Sequence, residues 1–237
     1  MHFFILYFPI KKGLKAKSIR YLYFGVLIAD IVIRLMDESE LDKFVKPLIM
    51  PVLLYYLIQR TSGKIYKHHL LLAAAIITAW IGDILLLNNQ QVFLLGGIMA
   101  FLITQSIYLF IFRSNTIGSI KKLLSQNRLT STLLLIFHLT FLLTAISLIE
   151  EHIKFAVIFY GLIVTTATWF AFVQNKLPET KYLKMGMGIF LLSDAMLATN
   201  MFFFKIPLAP MFIIGTYGIA QFFITEGIIK YMDKPAY

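Results

Sequence analysis

Two long apolar stretches, each with one aspartate, decide the fold class of this chain. Residues 70–87 read LLLAAAIITAWIGDILLL, and their single charged residue is Asp83. Residues 185–204 read MGMGIFLLSDAMLATNMFFF, and their single charged residue is Asp194. Each stretch is close to the roughly 20 residues that an α-helix needs to cross a bilayer. A charged side chain at the centre of such a helix costs about 2.5–3.5 kcal/mol on insertion scales, so we expect both aspartates to be functional.

The composition extends this conclusion to the whole chain. Of the 237 residues, 59% are hydrophobic and 14% are charged, and the mean hydropathy is +0.79. Soluble domains have about 45–50% apolar and about 25% charged residues. The chain is therefore predicted to be an all-α, polytopic integral membrane protein. It contains no cysteine, which excludes disulfides and thiolate chemistry.

The apolar stretches predict eight transmembrane helices. Their approximate bounds are 19–36, 45–59, 68–88, 92–112, 129–149, 154–174, 183–204 and 207–229. The second is the weakest, because it is about 15 residues long and a bilayer needs roughly 20. We expect a basic cytoplasmic segment at 1–18, a single eight-helix domain at 19–232 and a cytoplasmic tail at 233–237.

The basic residues alternate between the two sides of this eight-helix arrangement. The N-terminal segment, the even-numbered loops and the tail contain 17 Lys and Arg residues, whereas the opposite loops contain four. Cytoplasmic loops are the ones enriched in Lys and Arg, so both termini are predicted to be cytoplasmic, in the inner membrane of a bacterium. Because this pattern accounts for the net charge of +10, no nucleic-acid partner is expected.

Short matching motifs suggest an internal repeat. G-D-x-x-L at 82–86 matches S-D-x-x-L at 193–197, and F-x-x-x-Q at 101–105 matches Y-x-x-x-Q at 217–221. The matched helices are predicted to cross the membrane in the same direction. We therefore consider two four-helix halves related as a parallel repeat.

Alternative interpretations remain for the buried charges. Each aspartate can instead hold helices together through a polar contact without chemistry. Asp30 and Arg34 are one helical turn apart and are expected to form an ion pair. His68 and His69 are adjacent and therefore point in different directions on a helix, so we expect no metal site and no cofactor.

Several motifs, in their order along the chain, resemble the YhhN family of lysoplasmalogenase-like membrane proteins. They are Lys46-Pro47-Leu48, Gly82-Asp83 with Leu86, Phe93-x-x-Gly96-x-x-x-x-Phe101 with Tyr108, Ser193-Asp194 and Tyr217-x-x-x-Gln221. The resemblance extends from about Phe44 to Ile229. One position departs from it, because the family commonly has His where this chain has Gln105. Either that His is auxiliary or the activity of this chain is altered.

The resemblance implies hydrolysis of the vinyl-ether bond of lysoplasmalogens, which are lysophospholipids in the bilayer. The products are a fatty aldehyde and a glycerophospho-alcohol. Two carboxyl groups beside an oxocarbenium ion suit this chemistry, as they do in glycosidases. We expect Asp83 and Asp194 to be catalytic, one as general acid and the other as stabiliser or base. The supporting or substrate-binding residues are expected to be Lys46, Gln105, Tyr108, Tyr160, Tyr217 and Gln221.

Two other functions fit the same sequence. A lipid or small-solute transporter can use two membrane carboxylates for proton coupling. A lipid-binding or scaffolding protein would need neither aspartate. The sequence contains no feature that indicates an oligomeric state.

Overall fold

The computed structural model describes residues 6–7, 15–36, 39–61, 64–88, 90–114, 116, 118–174 and 180–232. Within these residues the chain is almost entirely helical. The α-helices are α1 (Ala16–Leu35), α2 (Ser39–Val45), α3 (Ile49–Arg60), α4 (Lys67–Leu85), α5 (Gln91–Ser114), α6 (Ile120–Gln126), α7 (Arg128–Leu148), α8 (Glu151–Phe172), α9 (Thr180–Ala198) and α10 (Ala209–Met232). Two short strands, β1 (Leu6–Tyr7) and β2 (Lys64–Ile65), pair antiparallel.

Six of the described helices are long and apolar enough to cross a membrane. They are α4, α5, α7, α8, α9 extended to Phe203, and α10 up to Lys230. These six coincide with six of the eight predicted spans, and they make the protein an integral membrane protein by length and composition. The predicted count of eight is not confirmed.

The two remaining spans differ from the prediction in length or composition. The predicted span at 45–59 is divided into the end of α2, a 3-10 turn at Lys46–Leu48 and α3. With 12 residues, α3 is about 18 Å long, well short of the roughly 30 Å hydrocarbon core. α1 has 20 residues but contains four charged ones, Lys17, Arg20, Asp30 and Arg34.

Two segments were not expected from the sequence. The short helix α6 lies in the connection between the predicted spans 92–112 and 129–149. α9 continues into a π-helical segment, Thr199–Phe203, within the predicted span 183–204. Such widened turns are frequent at functional sites. Of the predicted terminal segments, 1–18 overlaps α1, which begins at Ala16, and the tail at 233–237 lies outside the described residues.

α10 is the most buried of the six long apolar helices. α9 and α10 form one closely packed pair, and α4 and α5 form another. α1, α3 and α4 contact α10, and α8 packs against both α5 and α9. α7 packs mainly on α8 and exposes most of its surface, so it is the peripheral helix of the bundle.

A glycine sets the close approach within each of the two helix pairs. A Cβ atom on Gly186 of α9 would lie 2.7 Å from the backbone nitrogen of Ile224 in α10. A Cβ atom on Gly82 of α4 would lie 2.8 Å from the ring of Phe101 in α5. Any larger side chain at these positions would separate the helices, and small residues commonly permit such contacts in membrane proteins.

A buried ionic cluster joins α3 to α10. Glu226 is 5% exposed and accepts a hydrogen bond from the hydroxyl of Tyr56. Its carboxylate also lies 3.0 Å from the Lys230 ammonium and 3.5 Å from Nε of Arg60. Since the burial of a lone carboxylate is costly, these partners are what allow Glu226 to remain in the bundle.

Candidate functional site

Both aspartates line one cavity of about 430 Å³. Side chains from α1, α4, α5, α7, α8, α9 and α10 line it, together with residues of the 3-10 turn and of the π-helical segment. Asp83 and Asp194 are far apart in sequence and lie on different helices, so the fold brings them to a shared space. A cavity of this volume is in the range that binds small ligands.

Asp83 lies near the end of α4 and is 3% exposed. The hydroxyl of Tyr217 in α10 donates a hydrogen bond of 2.9 Å to its Oδ2. Tyr217 is itself held by edge-to-face contacts with the rings of Phe101 and Phe190, with centroids 5.8 Å away in each case. Asp83 and Tyr217, which are both among the predicted site residues, are therefore in contact, and aromatic packing fixes the position of the tyrosine.

Asp194 lies in α9, one turn before the π-helical segment, and is partly buried. The hydroxyl of Tyr160 in α8 donates a hydrogen bond of 2.5 Å to its Oδ2. The two aspartates thus share one arrangement, a carboxylate that accepts a hydrogen bond from a tyrosine of another helix. The neighbouring Ser193 also lines the cavity, and its hydroxyl donates to the carbonyl of Ile213, 3.0 Å away.

Two cationic side chains, Arg34 and Lys46, line the same cavity. The predicted ion pair of Asp30 and Arg34 is present, with 2.8 Å between Nε and Oδ2. Arg34 makes a second ion pair of 2.5 Å with Asp42. Lys46 belongs to the 3-10 turn, which packs on α4, the helix of Asp83. The cavity therefore contains positive charge as well as carboxyl groups.

Most of the remaining cavity wall is apolar. It is formed by Leu94, Ile98, Phe137, Phe141, Val157 and Phe202, among others. Gly161 of α8 belongs to this wall, and a Cβ atom there would lie 2.5 Å from Cε1 of Phe141 in α7. Cations, carboxyl groups and an extended apolar wall in one cavity suit an amphiphilic ligand with a hydrocarbon chain.

Three predicted supporting residues do not line this cavity. Gln105, Tyr108 and Gln221 are fully buried on α5 and α10. The hydroxyl of Tyr108 donates a 2.6 Å hydrogen bond to Oε1 of Gln221. Both polar atoms of Gln105 and Nε2 of Gln221 have no hydrogen-bond partner among the described residues. Buried water commonly satisfies such atoms.

Some residues of the cavity were not identified from the sequence. Arg34 was assigned an ion pair alone, yet it also lines the cavity. Asn200 of the π-helical segment and Thr165 of α8 line it too. A charge within an apolar span was the available signal for Arg34, whereas nothing in the sequence marked the other two. Among the described residues, no group of three or more His, Asp or Glu side chains is placed to hold a metal ion.

Comparison with known proteins identifies the family. No curated protein and no solved structure matches the chain. The model of the YhhN family matches residues 41–228, which include both aspartates and most of the cavity. On this match the chain belongs to the YhhN family.

Proposed function

We propose that this protein is a membrane hydrolase that cleaves the vinyl-ether bond of lysoplasmalogen-type lysophospholipids. The observation that carries the proposal is the shared cavity, in which two carboxyl groups, each hydrogen-bonded to a tyrosine, face an apolar wall. The family resemblance implies this substrate, and the cavity has the amphiphilic lining that a lysophospholipid needs.

The reaction requires an acid and an anion. A neutral carboxyl group protonates the β-carbon of the vinyl ether, and the α-carbon and its oxygen become an oxocarbenium ion. Water adds to the α-carbon while the second carboxylate accepts its proton, which gives a hemiacetal. The hemiacetal collapses with cleavage of the carbon–oxygen bond, and the products are the aldehyde and the glycerophospho-alcohol. One water is consumed, and the proton returns to the pair of aspartates.

The surroundings of the two aspartates favour one distribution of roles. A hydrogen bond donated to a carboxylate stabilises its ionised form. Because the hydroxyl of Tyr217, which the rings of Phe101 and Phe190 hold in place, donates to Asp83, we assign Asp83 as the carboxylate that stabilises the cation and activates water. Asp194 is beside the apolar wall and has Tyr160 as its hydrogen-bond donor, so we assign it as the general acid.

We extend the proposal to membrane topology. The six long apolar helices together with α1 and α3 would complete eight spans, in which α3 continues a crossing begun by the 3-10 turn. Under this arrangement the excess of basic residues keeps both termini in the cytoplasm of a bacterium, and α4–α5 corresponds to α9–α10 as a parallel repeat.

The test is aldehyde release by the purified protein in detergent, where no ion gradient exists. The wild type is expected to release fatty aldehyde from an alkenyl lysophospholipid. Asp83→Asn and Asp194→Asn should each lower the rate by at least about 100-fold, as expected for loss of acid–base catalysis. Glu151→Gln is the control, since Glu151 is exposed on α8 and outside the cavity lining. Undiminished turnover in either cavity variant would refute the two-aspartate mechanism.

A transporter with proton-coupling aspartates is the alternative. A transporter would release no aldehyde in detergent. It would move lipid or solute across a vesicle membrane, and the same Asp→Asn substitutions would abolish this movement. The apolar wall beside Asp194 favours the hydrolase, because a hydrocarbon chain next to the acid is what the ether substrate presents.

A further inference from the structure

Two cations line the cavity, and the acid chemistry does not explain them. Vinyl-ether protonation and water addition use the two aspartates, and neither step requires a lysine or an arginine. Arg34 and Lys46 nevertheless line the cavity that contains both carboxyl groups. Charged side chains within a membrane are costly and commonly mark ligand sites.

The guanidinium of Arg34 is held by two carboxylates, and its remaining N–H donors have no partner among the described residues. Its Nε donates to Asp30 at 2.8 Å and its Nη2 donates to Asp42 at 2.5 Å. Asp30 is fully buried and Asp42 is on α2, so the two acids fix the guanidinium from two elements. A guanidinium has five N–H donors, and these two bonds leave others available for an anionic ligand in the cavity.

The position of Lys46 is set by an indole. Nε1 of Trp80 donates a 2.8 Å hydrogen bond to the carbonyl of Pro47, the residue next to Lys46. Trp80 precedes Asp83 on α4 by three residues, about one helical turn. This bond ties the 3-10 turn to the end of α4, so the backbone of Lys46 is placed relative to Asp83. Among the described residues, no carboxylate forms an ion pair with Lys46.

We propose that Arg34 and Lys46 bind the phosphate group of the lysophospholipid substrate. This inference rests on the proposed function and specifies the part of the substrate that the aspartates do not touch. A rigid guanidinium and a mobile ammonium are the two side chains that proteins use for phosphate. The three-carbon glycerol backbone then places the vinyl ether at the aspartates, and the alkenyl chain lies along the wall that contains Phe141 and Val157.

The test compares two substrates that have the same vinyl ether. One is an alkenyl lysophosphoethanolamine, and the other is the corresponding 1-alkenylglycerol, which has no phosphate. Lys46→Met should lower kcat/KM for the phosphate-bearing lipid by about 10- to 100-fold, the usual loss for one charge-assisted hydrogen bond. The rate for the alkenylglycerol should change by less than about threefold, since it makes no contact with the ammonium. Lys46→Arg should retain most of the activity toward both substrates.

Lys43→Met is the control for a lysine lost nearby. Lys43 is exposed on α2 and pairs with Glu40 at 2.6 Å, so the Lys43→Met substitution should leave the rates on both substrates unchanged. A loss of equal size on both substrates in Lys46→Met would overturn the proposal, because Lys46 would then act on the acids or on the fold. Full activity of Lys46→Met on the phosphate-bearing lipid would overturn it too.

A binding measurement separates this inference from the proposed function. An alkyl-ether lysophospholipid, which has no vinyl bond to cleave, should raise the thermal midpoint of the wild type, since a ligand that binds the folded state stabilises it. The same lipid should raise the thermal midpoint of Lys46→Met by less. This difference is expected even if the protein releases no aldehyde, so it tests phosphate binding separately from hydrolysis. Inorganic phosphate is the second arm. A rise with phosphate alone that matches the rise with the lipid would assign the site to free phosphate and overturn the lipid assignment.

Discussion

The two aspartates have the same kind of hydrogen-bond partner but different surroundings. Asp83 is almost fully buried, and its partner Tyr217 is on α10, the most buried of the long apolar helices. Asp194 is partly buried, its partner Tyr160 is on α8, and the π-helical segment begins one turn later. The cationic turn packs on the helix of Asp83. The two matching motifs therefore have different environments, which suits the two different roles that we propose.

The pairing of the helices also shows where a strict repeat breaks down. The motif match aligns Phe101 with Tyr217, so an exact repeat would place Phe101 beside Asp194 as Tyr217 is beside Asp83. Phe101 instead packs on the ring of Tyr217, and the partner of Asp194 comes from α8. The matched motifs therefore contribute to one cavity without making equivalent contacts.

The largest expected difference between the two aspartates concerns their tyrosine partners. Tyr217→Phe should lower kcat by about 10- to 100-fold, because it removes a hydrogen bond to a carboxylate that must stay ionised. Tyr160→Phe should lower kcat by about 3- to 10-fold, since a hydrogen bond to a neutral acid contributes less. Initial rates of aldehyde release at saturating lipid measure both. The reverse order would exchange the roles that we assign to Asp83 and Asp194.

A smaller effect is expected on the apolar side of the cavity. Gly161→Leu would displace the ring of Phe141 and fill space beside Asp194. We expect kcat/KM for long-chain lipids to fall by about tenfold, the scale of one or two buried methylene groups, with short-chain lipids less affected. Gly215→Leu on α10 is the control, because Gly215 is outside the cavity lining. An equal loss for all chain lengths would indicate that the alkenyl chain lies elsewhere.

Gln105→His tests the departure from the family pattern. Gln105 is fully buried and outside the cavity lining, so a histidine there should change kcat by less than about tenfold. Acid–base catalysis contributes typically about 100- to 10,000-fold, so a rise of that size would show that the family's histidine is catalytic and that this chain has altered activity. Steady-state rates of Gln105→His and the wild type on the same lyso lipid decide whether the family's histidine is auxiliary or catalytic.

The smallest effect on activity is expected far from both aspartates. Glu226→Gln removes the charge that pairs with Lys230 and Arg60, so it should lower the free energy of unfolding by about 1–3 kcal/mol. The kcat of the folded protein should stay within about twofold, because the cluster is outside the cavity lining. Thermal unfolding and rate measurements on one preparation separate the two quantities. A large fall in kcat would link this end of α10 to the site.

The sequence predicted the fold class and both aspartates for identifiable physical reasons. Long apolar runs specify membrane helices because the bilayer requires internal hydrogen bonding of the backbone. A charge within such a run is rare enough to mark Asp83 and Asp194 from one sequence. The pair of Asp30 and Arg34 followed from helical spacing alone.

Other features depend on contacts that a linear pattern does not contain. The predicted span 45–59 is divided into the end of α2, a 3-10 turn at Lys46 and the short α3, and this division depends on Pro47 and on packing against α4. An apolar run does not show that packing, so the sequence predicted one continuous span. Gln105 and Gln221 lie outside the cavity lining because of the rotation of α5 and α10, which periodicity does not fix. The second role of Arg34 required the position of α1 relative to the cavity.

One measurement tests the central claim, that a carboxyl group in this cavity protonates a vinyl ether. The purified protein is incubated with an alkenyl lysophospholipid in D₂O, and the aldehyde is reduced at once and analysed by mass spectrometry. Proton transfer to the β-carbon predicts one deuterium on the carbon next to the aldehyde group, at a rate that falls by at least about 100-fold in Asp194→Asn. Aldehyde without that deuterium, or with it at an unchanged rate in Asp194→Asn, would contradict the account.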